Sequence, residues 1–202
     1  MPDLSFETQH PAPVCGVDEA GRGPWAGPVV AAAVVLDMAD IPAGLDDSKK
    51  LGAARRAALC IQIKARARWG VGVASVEEID ALNILRANDL AMRRAVAGLG
   101  AAFALVDGNR IPPDFPLPAR AIVKGDALSL SIAAASIIAK ETRDDIMREL
   151  AHAYPGYGWE TNAGYGVAAH RAALQTLGVT PHHRRSFRPI HKMLYEENNI
   201  TP

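Results

Sequence analysis

Cysteine is scarce in this 202-residue chain: Cys15 and Cys60 are the only two, far apart and outside any C-x-x-C pair. That excludes a disulfide framework or a cysteine zinc site. It fits two buried thiols in a reducing compartment, with the cytoplasm as the expected location. Net charge is also lacking, because 22 Lys and Arg balance 22 Asp and Glu. A basic surface spread over the whole molecule is therefore excluded, and any polyanion site must be local. Nor is there a long hydrophobic run. The longest stretch of small apolar residues, 29–36, is too short to span a bilayer, and the opening MPDLSFETQHPAP has neither a basic nor an apolar segment, so no membrane partner is expected. Repeats and low-complexity tracts are missing too.

What is present is an apolar fraction of 49%, enough to build one full core. Residues 1–13 read as a loose N-terminal tail. Residues 14–17 and 29–36 read as a strand pair, 53–69 as a helix, 71–75 as a strand, and 83–99 as a helix with Ile84, Leu85, Leu90, Ala91 and Val96 near one face. Short strands at 104–106 and 121–123 flank the proline-rich loop NRIPPDFPLP, and a long helix spans 131–154. Its small residues 131–136 let it approach the sheet closely. The order predicts an α/β body over 14–154, a mixed sheet flanked by helices, with a small helical C-terminal region over 155–202.

Three predicted strand ends carry acids: Asp18 with Glu19, Asp107, and Asp126, each beside a glycine-containing turn. Strand ends converge at one edge of an α/β sheet, so these carboxylates can meet. Buried acids at close quarters need positive charge, and hard oxygen donors select magnesium or manganese, with one or two protein carboxylates per ion. Two ions about 4 Å apart would activate water on one side of a phosphodiester and stabilise the leaving oxygen on the other. Each acid taken alone also suits a turn or a helix cap. Successive strand residues face opposite ways, so Asp18 and Glu19 reach the same ions only with a bulge or twist after Asp18.

The motifs DEAGRGPWAGP, DSKKL, LVDGNR, KGD followed by SIAAASIIAK, AGYG and HHRRSF, in this order, resemble the ribonuclease HII family over residues 14–187. The resemblance implies a ribonuclease H-like fold and divalent-metal-dependent cleavage of the RNA strand in RNA/DNA hybrids, including incision 5′ of a ribonucleotide embedded in duplex DNA. It places Asp18, Glu19, Asp107 and Asp126 on the family's catalytic, metal-binding acids. It also implies 3′-hydroxyl and 5′-phosphate ends and a monomer. Gly21, Arg22 and Gly23 match the motif that reads the ribonucleotide at an RNA-to-DNA junction, together with a tyrosine matched by Tyr165. Glycine backbones can approach sugar and phosphate oxygens, and the 2′-OH distinguishes RNA from DNA. The chain departs from the family pattern at Ala163 and Val167, where a lysine and a threonine are common.

Phosphate contacts are expected from Arg22, Lys49 and Arg184, with Lys50, Lys124, Arg185 and Arg188 as further basic candidates. His182 and His183 lack partners at zinc-ligand spacing and are expected to pack or cap. Whether a replication-clamp partner binds the tail EENNITP is left open by the sequence. A hybrid-binding protein without cleavage, or another nuclease or strand-transfer enzyme of the same fold, are the competing readings.

Overall fold

The computed structural model describes residues 1–195, so the EENNITP tail lies outside the described residues. Five strands form one sheet in the order β3-β2-β1-β4-β5: β1 Val14–Ala20, β2 Val29–Val35, β3 Arg68–Ala74, β4 Phe103–Asp107 and β5 Ala119–Ile122. The first three pair antiparallel, whereas β1, β4 and β5 run parallel. The expected mixed sheet is therefore present. The parallel strands carry their C-terminal ends to one edge, and the acids stand there.

Helices cover both faces, which is why every residue of β2 is buried. Val29, Ala31, Ala33 and Val35 face α3 (Ile84–Val96), while Ala32 and Val34 face α1 (Ala53–Arg66) and α4 (Leu130–Ala153). Gly16 on β1 shows how closely α4 approaches: a Cβ there would lie 2.1 Å from the Ser131 carbonyl carbon, so any side chain would push the helix away. Cys15 and Cys60 are both free and buried. Among the described residues no helix is long and apolar enough to cross a membrane.

Several expectations need correction. The helix read over 83–99 is α3, capped by Asn83, but a separate helix before it, α2 (Val76–Leu82), opened by a Ser75–Glu78 capping box, was not expected. Leu85 is exposed, and Asn88 and Asp89 take buried positions on α3 in its place. Residues 1–13 are not a loose tail. Glu7 is buried, and one of its carboxylate oxygens accepts hydrogen bonds from the Ser129 hydroxyl at 2.6 Å, the Ser131 hydroxyl at 2.7 Å and the Ser131 amide at 2.9 Å. Asp3 exchanges backbone bonds with Leu128 and Leu130. Proline and polar composition suggested solvent, but the start of α4 leaves amide donors that a carboxylate must satisfy.

Beyond α4, three short helices follow: α5 (Trp159–Asn162), α6 (Ala168–Leu177) and α7 (Arg188–Tyr195). They share a small core of Tyr157, Trp159, Leu174 and Ile190 with Met147 of α4 and Ala26 of the loop after β1. Asp80 of α2 accepts from the Arg185 and Ser186 amides, tying this region back to the body.

Removing the Glu7 carboxylate strands buried donors at the start of α4. Glu7→Ala is expected to lose about 3 kcal/mol of stability, and Glu7→Gln, which keeps one acceptor, about 1 kcal/mol. Urea unfolding of the three proteins measures both.

Candidate active site

Asp18 lies near the end of β1, Asp107 ends β4, and Asp126 sits in a 3₁₀ turn, Gly125–Ala127, between β5 and α4. The Gly125 amide donates to Asp107 Oδ1 at 2.7 Å and so fixes one acid against the turn that carries another. Asp18 and Asp126 are 6% and 7% exposed, too dry for crowded anions without a counter-charge. The Asp18 carboxyl is pushed well above the usual carboxylate range by burial, then by the charges of Glu19 and Asp107. Asp126 is raised by burial and by its neighbours Asp107 and Asp47. Glu19 is raised by burial, against the opposing pull of Arg22.

The β1–β2 register runs unbroken through Ala20 with no bulge, so Asp18 and Glu19 leave the strand on opposite faces. Glu19 turns toward α3 and lines a cavity of about 70 Å³ with Arg22, Asn88, Asp89, Asp107 and Arg110. Positive charge near the acids is thin. Arg22 meets Glu19 at 3.2 Å, and the Lys49 ammonium stands 3.8 Å from Asp126. Burial alone would pull Lys49 down, but Asp126, Asp18, Asp47 and Asp107 outweigh it and hold the ammonium above the usual lysine range.

This donor set fits hard divalent cations: it is all oxygen, crowded, and short of positive charge. Among the described residues no group of three or more His, Cys, Asp or Glu is arranged to hold one ion by itself. Magnesium-type sites, which take one or two carboxylates per ion and complete the shell with water and substrate oxygens, do not require such a group.

Next to the acids, the loop 21–28 is laced to the C-terminal region. Trp25 N–H donates to Gly164 O, Gly27 N–H to His182 O, and Arg184 N–H to Trp25 O. This lacing brings Tyr165, which is half exposed, to within 3.5 Å of the space a Gly23 side chain would occupy. The GRG turn and the tyrosine, more than a hundred residues apart in sequence, thus form one surface beside the carboxylates.

The ribonuclease HII family pattern matches residues 15–196. The chain belongs to the ribonuclease HII family. Ribonuclease HII of Ruegeria sp. (strain TM1040) is 62% identical over 202 residues, covering 97% of this chain and 88% of that one. Ribonuclease H2 of Pyrococcus horikoshii OT3 superposes with a TM-score of 0.76 at 28% identity, over 92% of this chain and 99% of that one. Ribonuclease HII of Archaeoglobus fulgidus, solved in complex with PCNA, gives 0.72 at 27% identity, over 87% and 95%. Membership in the ribonuclease HII family makes the chain a nuclease of the ribonuclease H class, acting on RNA/DNA hybrids.

One expected phosphate contact is elsewhere. Arg184 is fully buried, and its guanidinium is spent on backbone carbonyls of the 21–28 loop, so it does not reach solvent. Lys50 pairs with Asp46 at 3.1 Å. His183 packs in the C-terminal core, and His182 packs edge-on against Tyr154. Sequence reasoning missed Asp47, beside Asp126, and the bidentate Asp89–Arg110 pair at 2.6 and 3.0 Å, which flanks Glu19 and Asp107. The one available signal was the adjacent polar pair Asn88-Asp89 inside an amphipathic helix.

A neutral histidine relay anchors the tyrosine turn. The Thr180 amide donates to His183 Nδ1, so the His183 proton is on Nε2 and is donated to His170 Nε2 at 3.0 Å. Trp159 Nε1–H donates to the same His170 nitrogen, leaving Nδ1–H of His170 for the Tyr165 carbonyl at 2.9 Å. A proton added to either ring would face a donor. Burial, and then His170, push His183 down to about 3.

Two outcomes follow. Because folding raises the Asp18 pKa, the native state loses stability as pH rises through that value. At pH 8 with chelator, Asp18→Asn is expected to gain about 1–2 kcal/mol in calorimetry, and with metal supplied to lose turnover. His183 has the opposite sign: its stabilising contribution is complete above the unfolded value and is lost as pH falls from about 6.5 toward 3, by up to about 1.4 kcal/mol per pH unit. Urea midpoints between pH 7 and 5 should therefore fall less steeply for His183→Asn than for the wild-type protein.

Proposed function

We propose that this chain incises the strand 5′ of ribonucleotides embedded in duplex DNA, as well as the RNA strand of hybrids, by a two-ion hydrolysis that leaves 3′-hydroxyl and 5′-phosphate ends. The observation that carries this reading is the contact between the GRG turn and Tyr165 beside the carboxylates: a reader of sugar identity adjoins a site for phosphodiester hydrolysis. The residues that would hold magnesium or manganese are Asp18, Asp107 and Asp126, with Glu19 from the opposite face of β1. When bound, such ions supply the activation of water and the stabilisation of the leaving oxygen.

The chain's own groups do the rest. The Gly125 amide keeps Asp107 oriented, and Arg22 holds Glu19 in place. Lys49, mostly exposed and kept charged by the acids around it, is placed to meet a substrate phosphate as it approaches them. The exposed turn at Arg22 and Gly23, with no side chain on Gly23, accommodates the sugar edge, and the ring of Tyr165 supplies a flat apolar face for the deoxyribose that follows. In this scheme the 2′-OH is recognised and not consumed, so no cyclic phosphate forms.

A cleavage map on a duplex carrying one ribonucleotide, with magnesium and manganese supplied in turn, tests the reading. One cut 5′ of the ribonucleotide is expected. A 2′,3′-cyclic product, or equal cutting of an all-DNA duplex, would refute it. Asp107→Asn should lose at least about 100-fold in kcat with duplex binding largely retained, as expected for a group needed in the transition state. Wild-type behaviour of that variant would favour a hybrid-binding protein instead.

A further inference from the structure

Arg184 and Arg143 are the two arginines buried to 0% and 1% exposure, and among the described residues neither forms an ion pair. A buried guanidinium without a carboxylate is costly unless its donors find acceptors. Here the acceptors are main-chain carbonyls. Arg184 Nε donates to Gly27 O at 2.9 Å, Nη1 to Arg22 O at 3.0 Å, and Nη2 to Gly21 O at 2.6 Å and Pro28 O at 3.1 Å. Arg143 takes a different set: Pro28 O, Ala163 O and Ala26 O.

The difference between the two sets matters because a trans peptide is planar, with its C=O and N–H pointing in opposite directions. When Arg184 draws the carbonyls of Gly21 and Arg22 inward, the amides of Arg22 and Gly23 must point outward. Arg22 and Gly23 are exposed, and neither amide donates to any acceptor among the described residues. Two successive outward N–H groups form a concavity that suits an anionic or hydroxyl oxygen, and the cation behind them polarises both peptides in the favourable sense.

We infer that Arg184 is a positioning residue for substrate reading: by fastening the Gly21 and Arg22 carbonyls from beneath, it presets the Arg22 and Gly23 amides as a donor pair for the phosphate and 2′-OH oxygens of a ribonucleotide. This role rests on the substrate reading proposed above and adds its physical basis. Donors held before binding lose no conformational freedom when the substrate arrives. Arg143, which supports the same loop but holds neither of these carbonyls, is the internal control.

The test compares wild-type protein, Arg184→Lys and Arg143→Lys, each first checked for its melting temperature. Lysine keeps the charge but cannot span four carbonyls. With the single-ribonucleotide duplex, Arg184→Lys is expected to raise KM about tenfold with little change in kcat, the loss of about one charge-assisted contact. In chelator, titration of the labelled protein with that duplex should shift the Arg22 and Gly23 amide resonances of wild-type and Arg184-intact proteins, and shift them far less in Arg184→Lys. Equal amide responses in all three proteins, or equal losses in both lysine variants, would overturn the role. Should Arg184→Lys fail to fold, the wild-type titration still decides, because unmoved Arg22 and Gly23 amides contradict the inference. Absence of any cleavage of this duplex by wild-type protein is a separate result, which removes the substrate reading itself and this role with it.

Discussion

Mutual repulsion among Asp18, Glu19, Asp107 and Asp126, in a place where burial already disfavours the charged forms of Asp18, Glu19 and Asp126, is the constraint around which this molecule is organised. The parallel strands and the turn after β5 bring the acids to one edge, where Asp18 and Asp126 are buried. The fold answers with little positive charge of its own: one guanidinium on Glu19, one distant ammonium near Asp126, and an amide on Asp107. In the proposed function that deficit is what bound divalent cations would make good. Filling it with an arginine would stabilise the protein and remove the chemistry.

The opposite charge is stored a short distance away. Arg143 and Arg184 lie unpaired beneath the 21–28 loop, both pushed below the usual arginine range by burial, to about 10 and about 9. A chain of zero net charge can thus present an anion-reading surface without a basic exterior, because the charge acts through peptide groups. The histidine relay contributes differently. It is neutral, two donors converge on the acceptor nitrogen of His170, and it ends on the Tyr165 carbonyl, so the turn opposite the GRG loop is held by direction of hydrogen bonding and not by charge.

Much of this was legible in the chain. Apolar runs followed by acids beside glycine-containing turns located Asp18 and Asp107 at strand ends, while Asp126, read the same way, sits in the turn four residues past β5. The alternation of strand side chains also anticipated that Asp18 and Glu19 would part to opposite faces, as the unbroken register has them. Other features left no local trace. Arg184 lies in a basic run, HHRRSF, whose composition suggests solvent, yet one arginine of the pair points inward and its neighbour offers a backbone amide to Asp80. Nothing near Glu7 announces that it caps a helix starting at residue 130, and Asp47 meets Asp126 only across the fold.

The sequence by itself determined the strand and helix periods, the acids that follow the strands, the Gly-Arg-Gly turn, and the family to which the chain belongs, because each is written in neighbouring residues. Only the tertiary structure decided which cations face water and which face carbonyls, how the Tyr165 turn meets the GRG loop, and what holds the N-terminal segment down. Those outcomes depend on burial and on hydrogen-bond partners distant in the chain, and neither exists until the layers have packed.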